Sequence, residues 1–125
     1  MLEESLAPVF RVGNVADAVA WYQRLGFQLH FEHSAGPGFS RTQAVVGRGA
    51  LHLILSDCEE DGRPEGLVIL RVSDDVESIA SEFNVAVQNW VIGKQVELRD
   101  PDGNRIRIVA PQFPPSWKGP ANDPR

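Results

Sequence analysis

The chain has few of the residues that would indicate an exported, membrane-bound or disulfide-stabilised protein. A single cysteine among its 125 residues excludes an internal disulfide. No apolar run approaches the ~20 residues that cross a bilayer. The start, Met1 to Ser5, lacks the basic and apolar regions of a secretory signal. These absences predict a cytoplasmic location and no role in a membrane.

Clusters of basic residues and the common catalytic motifs are also missing. The net charge of −5 argues against binding to nucleic acid and slightly favours cationic over anionic ligands. The sequence contains no Gly-x-Ser-x-Gly, no phosphate-binding glycine loop, no His-Glu-x-x-His and no Cys-x-x-Cys. Cys58 has no cation at a fixed spacing that would activate its thiol as a nucleophile.

The organisation of the chain is that of one domain with an internal repeat. Residues 1–112 are predicted to form the domain, and the Pro/Gly-rich residues 113–125 a loose tail. The polar, acidic connector 57–65 separates module one, about 6–56, from module two, about 66–112. In each module the pattern predicts a strand, a helix and then three strands.

Module one begins with an edge strand, because Pro8 is tolerated only at the start of a strand or on an edge. Asn14 can cap a helix that begins at Val15 and ends at Gly26. The next strand alternates Phe27, Leu29 and Phe31 against polar residues. Strands are predicted at Leu6–Val12, Phe27–His33, Phe39–Gly47 and Leu51–Leu55.

Module two repeats this order. Leu67–Val72 is predicted to be a strand, Ser73 can cap the helix that follows, and Val85–Val91 is a second strand. A hairpin with a tight Asp-Pro-Asp-Gly turn at 100–103 ends the module, since proline and glycine fit the first central position and the exit of such a turn. Its predicted buried face consists of Val96, Leu98, Ile106 and Ile108.

Three motifs in tandem modules carry a resemblance to a known family. They are Val12-Gly-Asn-Val-Ala-Asp-Ala-Val-Ala-Trp-Tyr22, Leu25-Gly-Phe27 and Leu98-Arg-Asp-Pro-Asp-Gly-Asn104. Together they resemble the vicinal oxygen chelate superfamily of glyoxalases, bleomycin resistance proteins and dioxygenases, from about Ala7 to Pro111. The resemblance implies an α+β fold of two βαβββ modules whose curled mixed sheet forms an open cup. It also implies a homodimer, either domain-swapped or side by side.

The resemblance further implies four positions at which the family's enzymes hold a divalent metal. In this chain they are Ala7, His52, Leu67 and Arg107. Alanine and leucine have no ligand atom, and a permanently charged guanidinium repels a metal ion. His52 is therefore the only surviving candidate ligand, and we expect no metal, no cofactor and no catalytic residue.

The branch that this departure resembles is the bleomycin resistance proteins. It implies a metal-free homodimer that sequesters a cationic or aromatic small molecule, such as a bleomycin-type antibiotic, in a groove between subunits. The two phenylalanines could instead pack in the sheet core, Trp90 in the core or a dimer contact, and His52 could be an ordinary polar strand residue. The predicted ligand-binding residues are Phe31, Phe39, His52, Trp90, Glu97 and Arg107.

Two other functions remain open at this point. One is a metal-dependent isomerase, lyase or dioxygenase with a rearranged site that uses His52 and Glu97. The other is a regulatory or assembly module whose dimer surface is its function. Glu97 and Arg107 lie on polar faces of adjacent strands and could pair across the hairpin. The sequence predicts solvent-exposed positions for four further residues, namely His30, His33, Arg99 and Arg105.

Overall fold

The computed structural model describes residues 6–34, 42–61, 65–72, 76–90 and 93–111, except for the side chains of Trp90 and Pro111. It contains two helices and eight strands in these ranges. In chain order they are β1 (Val9–Arg11), α1 (Val15–Arg24), β2 (Gln28–Ser34), β3 (Thr42–Arg48), β4 (Leu51–Ser56), β5 (Leu67–Arg71), α2 (Val76–Phe83), β6 (Gln88–Trp90), β7 (Gly93–Arg99) and β8 (Arg105–Pro111).

The strands form two four-stranded sheets with the same topology. Module one has the order β1-β4-β3-β2 and module two the order β5-β8-β7-β6. In each sheet the first and last strands of the module pair in parallel, and the remaining neighbours pair antiparallel. This repeated arrangement confirms the predicted tandem βαβββ modules and the α+β class. No helix in the described ranges is long and apolar enough to cross a membrane.

Helix α1 begins where its capping residue predicts. The Asn14 side chain accepts a hydrogen bond from the Asp17 backbone N–H at 2.9 Å, which satisfies one of the unpaired donors of the first turn. The chain leaves the helix at Gly26, whose φ of 92° lies in the left-handed region that favours glycine. Four residues at helical spacing are buried against the sheet: Val15, Ala18, Val19 and Tyr22.

The core lies between each sheet and its helix. Alternate strand residues such as Val46, Leu55 and Ile106 are fully buried there, because successive side chains of a strand point to opposite faces. Each such aliphatic side chain contributes roughly 1.5–3 kcal/mol by leaving water. The predicted buried face of the last hairpin is confirmed, with Val96, Leu98, Ile106 and Ile108 at most 2% exposed.

The two helices meet at the junction of the modules. The rings of Trp21 and Phe83 lie 5.1 Å apart, and the Arg24 guanidinium lies 4.4 Å above the Phe83 ring. Arg24 also pairs with Glu82 at 3.3 Å. Trp21 is thus partly buried against the core.

A second junction joins the turn of the last hairpin to module one. The Tyr22 hydroxyl donates to Asp100 Oδ2 at 2.8 Å, and the Asn104 side-chain amide donates to the same oxygen at 3.0 Å and to the Arg11 carbonyl oxygen at 3.0 Å. The backbone N–H groups of Asp102 and Asn104 both donate to Asp100 Oδ1 at 2.9 Å. Tyr22, Asp100 and Asn104 are all buried, so this hydrogen-bonded group, the turn clasp, ties the modules together.

Three predicted elements differ from the structure in their bounds or register. β1 and β6 are three-residue strands, shorter than the predicted Leu6–Val12 and Val85–Val91. In β2 the register shifts between Leu29 and Phe31, so the predicted alternation from Phe27 to Phe31 is wrong beyond Leu29. The predicted cap at Ser73 and the predicted tail 113–125 lie outside the described residues.

Candidate ligand-binding faces

Each sheet has a second face that its helix does not cover. The side of the module-one sheet that is turned away from α1, here called the histidine face, carries His30, Phe31, His33, Val45, His52 and Ile54. The corresponding side of the module-two sheet, here called the arginine face, carries Leu67, Ile69, Arg71, Glu97, Arg99, Arg105 and Arg107. On β3, β4, β5, β7 and β8 these residues alternate with residues on the helix side, most of which are buried. All residues of β2 are exposed.

Phe31 lies on the histidine face because of the irregularity in β2. Leu29 pairs with the buried Val46, whereas Phe31 pairs with Val45, so His30 is the extra residue of a bulge. Phe31 is 61% exposed, which excludes the alternative that it packs in the core of this chain. Its ring stacks on that of His33, with centroids 6.4 Å apart and planes 7° apart. The pair forms a flat aromatic surface.

Two further imidazoles lie side by side on the same face. The rings of His30 and His52 are 5.6 Å apart in an edge-to-face arrangement. Both contact Gly47 on the strand between them, where an added Cβ would lie 2.7 Å from His30 and 3.2 Å from His52. Glycine at 47 therefore gives the two rings room to approach. The sequence predicted only that His30 is exposed to solvent. It did not predict that the His30 ring contacts Gly47 and His52.

The predicted pair of Glu97 and Arg107 is confirmed on the arginine face. Arg107 donates to Glu97 Oε1 from Nη2 at 3.1 Å and from Nε at 3.3 Å. The Arg105 Nη2 lies 3.6 Å from the same oxygen. The hydrogen bond from Arg107, together with the positive charges of Arg105, Arg107 and Arg99, holds the pKa of the Glu97 carboxyl below its usual range.

The prediction that Arg105 flanks the turn in solvent is wrong. The side chain of Arg105 lies on the arginine face, like that of Arg107 two residues later, and it is half-buried. Its Nε–H is buried and has no hydrogen-bond acceptor among the described residues. The signal that could have placed it was strand parity, since residues 105 and 107 must share one face.

Apolar side chains border these charges. Leu67 pairs with Arg105 and Ile69 with Arg107 on the neighbouring strand. They lie on the edge strand β5 and are 45% and 53% exposed, so both are large aliphatic residues left open to solvent. The arginine face thus combines a guanidinium cluster with an apolar strip.

The residues at the four family metal positions do not fit a metal ion. His52 is the only one with a ligand atom that can bind a cation; Ala7 and Leu67 are apolar. On β8, Arg105 lies beside Leu67, and Arg107 lies beside Ile69 two residues further along. Whichever of the two arginines occupies the fourth metal position, it presents a guanidinium, which repels a metal ion. Across the described part of the chain, no three metal-binding side chains converge.

Of the other predicted features, the structure describes the acidic connector in part but not two of the aromatic site residues. Phe39 and the side chain of Trp90 lie outside the described residues. The acidic connector is not simply solvated, because Asp57 accepts from the Thr42 backbone N–H and Asp61 from the Ser56 hydroxyl, each at 2.7 Å. These contacts fix the ends of β3 and β4 rather than form a ligand site.

Two clefts lined by described residues lie apart from these faces. One, of about 350 Å³, lies at the end of β1 and is lined by Arg11, Val12, Gly13, Asp57, Glu59 and Asp102, where Asp102 already accepts a hydrogen bond from Gly13. The other, of about 240 Å³, lies between the helices. Neither contains Phe31, His52, Glu97 or Arg107.

Tandem βαβββ modules with uncovered sheet faces define a member of a known superfamily. Residues 6–108 match the family model of the glyoxalase/bleomycin resistance protein/dioxygenase superfamily. The chain belongs to this superfamily. No curated protein matches it.

Solved structures that resemble the chain include both binding proteins and an enzyme. TnmS3, an antibiotic binding protein from Streptomyces sp. CB03234, is 25% identical over 90% of this chain and 99% of its own, with a TM-score of 0.68. A bleomycin-binding protein complexed with bleomycin is 21% identical over 88% and 100%, with a TM-score of 0.63. Lactoylglutathione lyase from Agrobacterium tumefaciens is 17% identical over 86% and 94%, with a TM-score of 0.65. The latter two show the shared fold.

Proposed function

We propose that this protein is a metal-free small-molecule binding protein that sequesters an aromatic ligand, in its specific form an antibiotic. The observation that carries the proposal is the exposed aromatic surface of Phe31 and His33, which share the histidine face with His52. Such rings stack on flat ligands at about 0.5–1.5 kcal/mol beyond area burial. The structural likeness to an antibiotic binding protein supports the same reading.

The alternative of a metal-dependent isomerase, lyase or dioxygenase has less support. Its rearranged site would need Glu97 as a ligand, yet Arg107 donates two hydrogen bonds to that carboxylate. Two guanidiniums within 3.6 Å of Glu97 Oε1 would repel an incoming metal ion. The proposed function is therefore binding without metal chemistry.

We further propose that two copies of the chain form the groove. An open sheet face cannot enclose a ligand, whereas small-molecule sites bury most of the ligand surface. Like charges oppose the pairing of two arginine faces, so the arrangement with the histidine face of one copy against the arginine face of the other is favoured. Exposed Phe31, Leu67 and Ile69 would then line the groove between the two copies.

Sedimentation velocity tests the dimer. The wild-type protein is expected to sediment as a dimer, with twice the 13.8 kDa mass of the single chain. Ile69→Lys should shift it to the monomer, because the substitution would bury an unpaired ammonium. Val85→Lys is the matched control, since Val85 is an exposed apolar residue in the segment between α2 and β6, outside the strands that carry the two faces. A monomeric wild-type protein at tens of micromolar would contradict the proposal.

Titration with bleomycin and with the neutral aromatic probe 1-pyrenemethanol tests ligand binding. Phe31→Ala is expected to weaken binding about tenfold, as truncation of an aromatic anchor commonly does. Val85→Ala should leave it unchanged. No calorimetric heat with bleomycin at tens of micromolar protein would exclude a bleomycin-type antibiotic as the ligand. If the pyrene probe also failed to bind, the binding function itself would be wrong.

A further inference from the structure

The charges of the arginine face are strongly unbalanced. Along strands β5, β7 and β8, Glu97 is the one carboxylate among the described residues that point to this side. Four arginines share the face with it, namely Arg71, Arg99, Arg105 and Arg107. A chain with a net charge of −5 therefore carries a locally cationic sheet face.

The arginines of β7 and β8 lie close together, so the positive charge of the arginine face is concentrated in one place. Arg99 and Arg105 are directly paired across β7 and β8, an arrangement of like charges that destabilises a sheet. Arg105 and Arg107 both approach the same oxygen of Glu97, at 3.6 Å and 3.1 Å. One carboxylate cannot neutralise these guanidiniums, and Arg105 Nε–H has no acceptor among the residues described.

The surroundings of this charge define what could balance it. Leu67 and Ile69 lie beside Arg105 and Arg107 and expose large apolar surfaces. A small inorganic anion would leave those surfaces in water, whereas an aromatic acid would cover them with its ring and place its carboxylate at the guanidiniums. Arginine also presents paired donors that match a planar carboxylate.

We propose that the arginine face selects ligands that carry an anionic group on an aromatic ring, with Arg105 and Arg107 as the residues that determine this specificity. The inference rests on the proposed binding function and deepens it, since it names the chemical class of the ligand. It reverses the weak preference for cations that the overall charge of the chain suggests. The local face, not the net charge, then sets the selectivity.

A matched series of pyrene compounds tests the inference by fluorescence titration: 1-pyrenecarboxylate, 1-pyrenemethanol and 1-pyrenemethylammonium. The carboxylate is expected to bind the wild-type protein about tenfold or more tightly than the ammonium compound, because an excess of positive charge at contact distance outweighs solvent screening. The preference should shrink at high salt.

Two variants separate the arginine face from the net charge. Arg107→Gln and Arg105→Gln should each remove most of the preference for the carboxylate, measured as the ratio of the 1-pyrenecarboxylate affinity to the 1-pyrenemethanol affinity of the same variant. Arg24→Gln is the control, since it removes the same charge from an exposed pair on the helix side. It should leave the preference intact.

The outcomes distinguish the inference from the function on which it rests. If the three compounds bind equally, or if Arg24→Gln changes the preference as much as Arg107→Gln does, the inference is overturned and the binding function stands. If the ammonium compound binds best, the inference is overturned in favour of a cationic ligand. If none binds, the inference is overturned, and the binding function is overturned with it when bleomycin also fails to bind.

Discussion

Replacing Asp100 by alanine is expected to lower the free energy of unfolding by about 3–5 kcal/mol. The Asp100 carboxylate accepts four hydrogen bonds, from the Tyr22 hydroxyl, the Asn104 side-chain amide and the backbone N–H groups of Asp102 and Asn104. Without the carboxylate, the hydroxyl and amide donors would stay buried and unpaired, which costs roughly 1–3 kcal/mol for each group. The loss should appear in urea unfolding followed by circular dichroism.

Two comparisons make the Asp100 result specific to the turn clasp. Asp17→Ala removes a carboxylate from the exposed first turn of α1 and should cost about 0.5 kcal/mol. Tyr22→Phe removes a single donor and should cost about 1–2 kcal/mol. The effects of Asp100→Ala and Tyr22→Phe should be less than additive, because both break the same hydrogen bond. A loss below about 1 kcal/mol for Asp100→Ala would contradict the role assigned to the turn clasp.

The last hairpin shows how far local sequence determines this fold. Its strands, its turn and its buried residues followed from alternation and from the Asp-Pro-Asp-Gly sequence, because these signals act within a few residues. The burial of Asp100 did not follow, since it depends on Tyr22, which lies 78 residues earlier in the chain. Only the packed modules bring the hydroxyl and the carboxylate together.

One part of the candidate site was also predictable from the local sequence, and another part was not. The pairing of Glu97 with Arg107 was predictable from cross-strand geometry, and it is present. The positions of Phe31 and His30 were not, because a bulge in β2 adds one residue and changes which face the later side chains occupy. Nothing in the alternation of this strand indicates the bulge.

Alkaline pH is expected to unfold the protein through Tyr22. Its side chain is fully buried, and the pKa of its hydroxyl is raised, first by desolvation and then by the charge of Asp100 and the hydrogen bond to it. A folded-state pKa above the unfolded value of about 10 gives stability that is fully present below pH ~10 and is lost as the pH rises. The loss should be about 1.4 kcal/mol per pH unit above that point.

The composition of the chain makes this measurement unambiguous. Tyr22 is the only tyrosine, so the ultraviolet absorbance of tyrosinate reports on this one residue. We expect no tyrosinate signal while the circular dichroism stays native, and then a single step at which both change together. In Tyr22→Phe the stability should fall less steeply above pH ~10, because this ionisation no longer favours the unfolded state. Tyrosinate formation with a midpoint near 10 in a still-folded protein would show that Tyr22 is not held by the turn clasp.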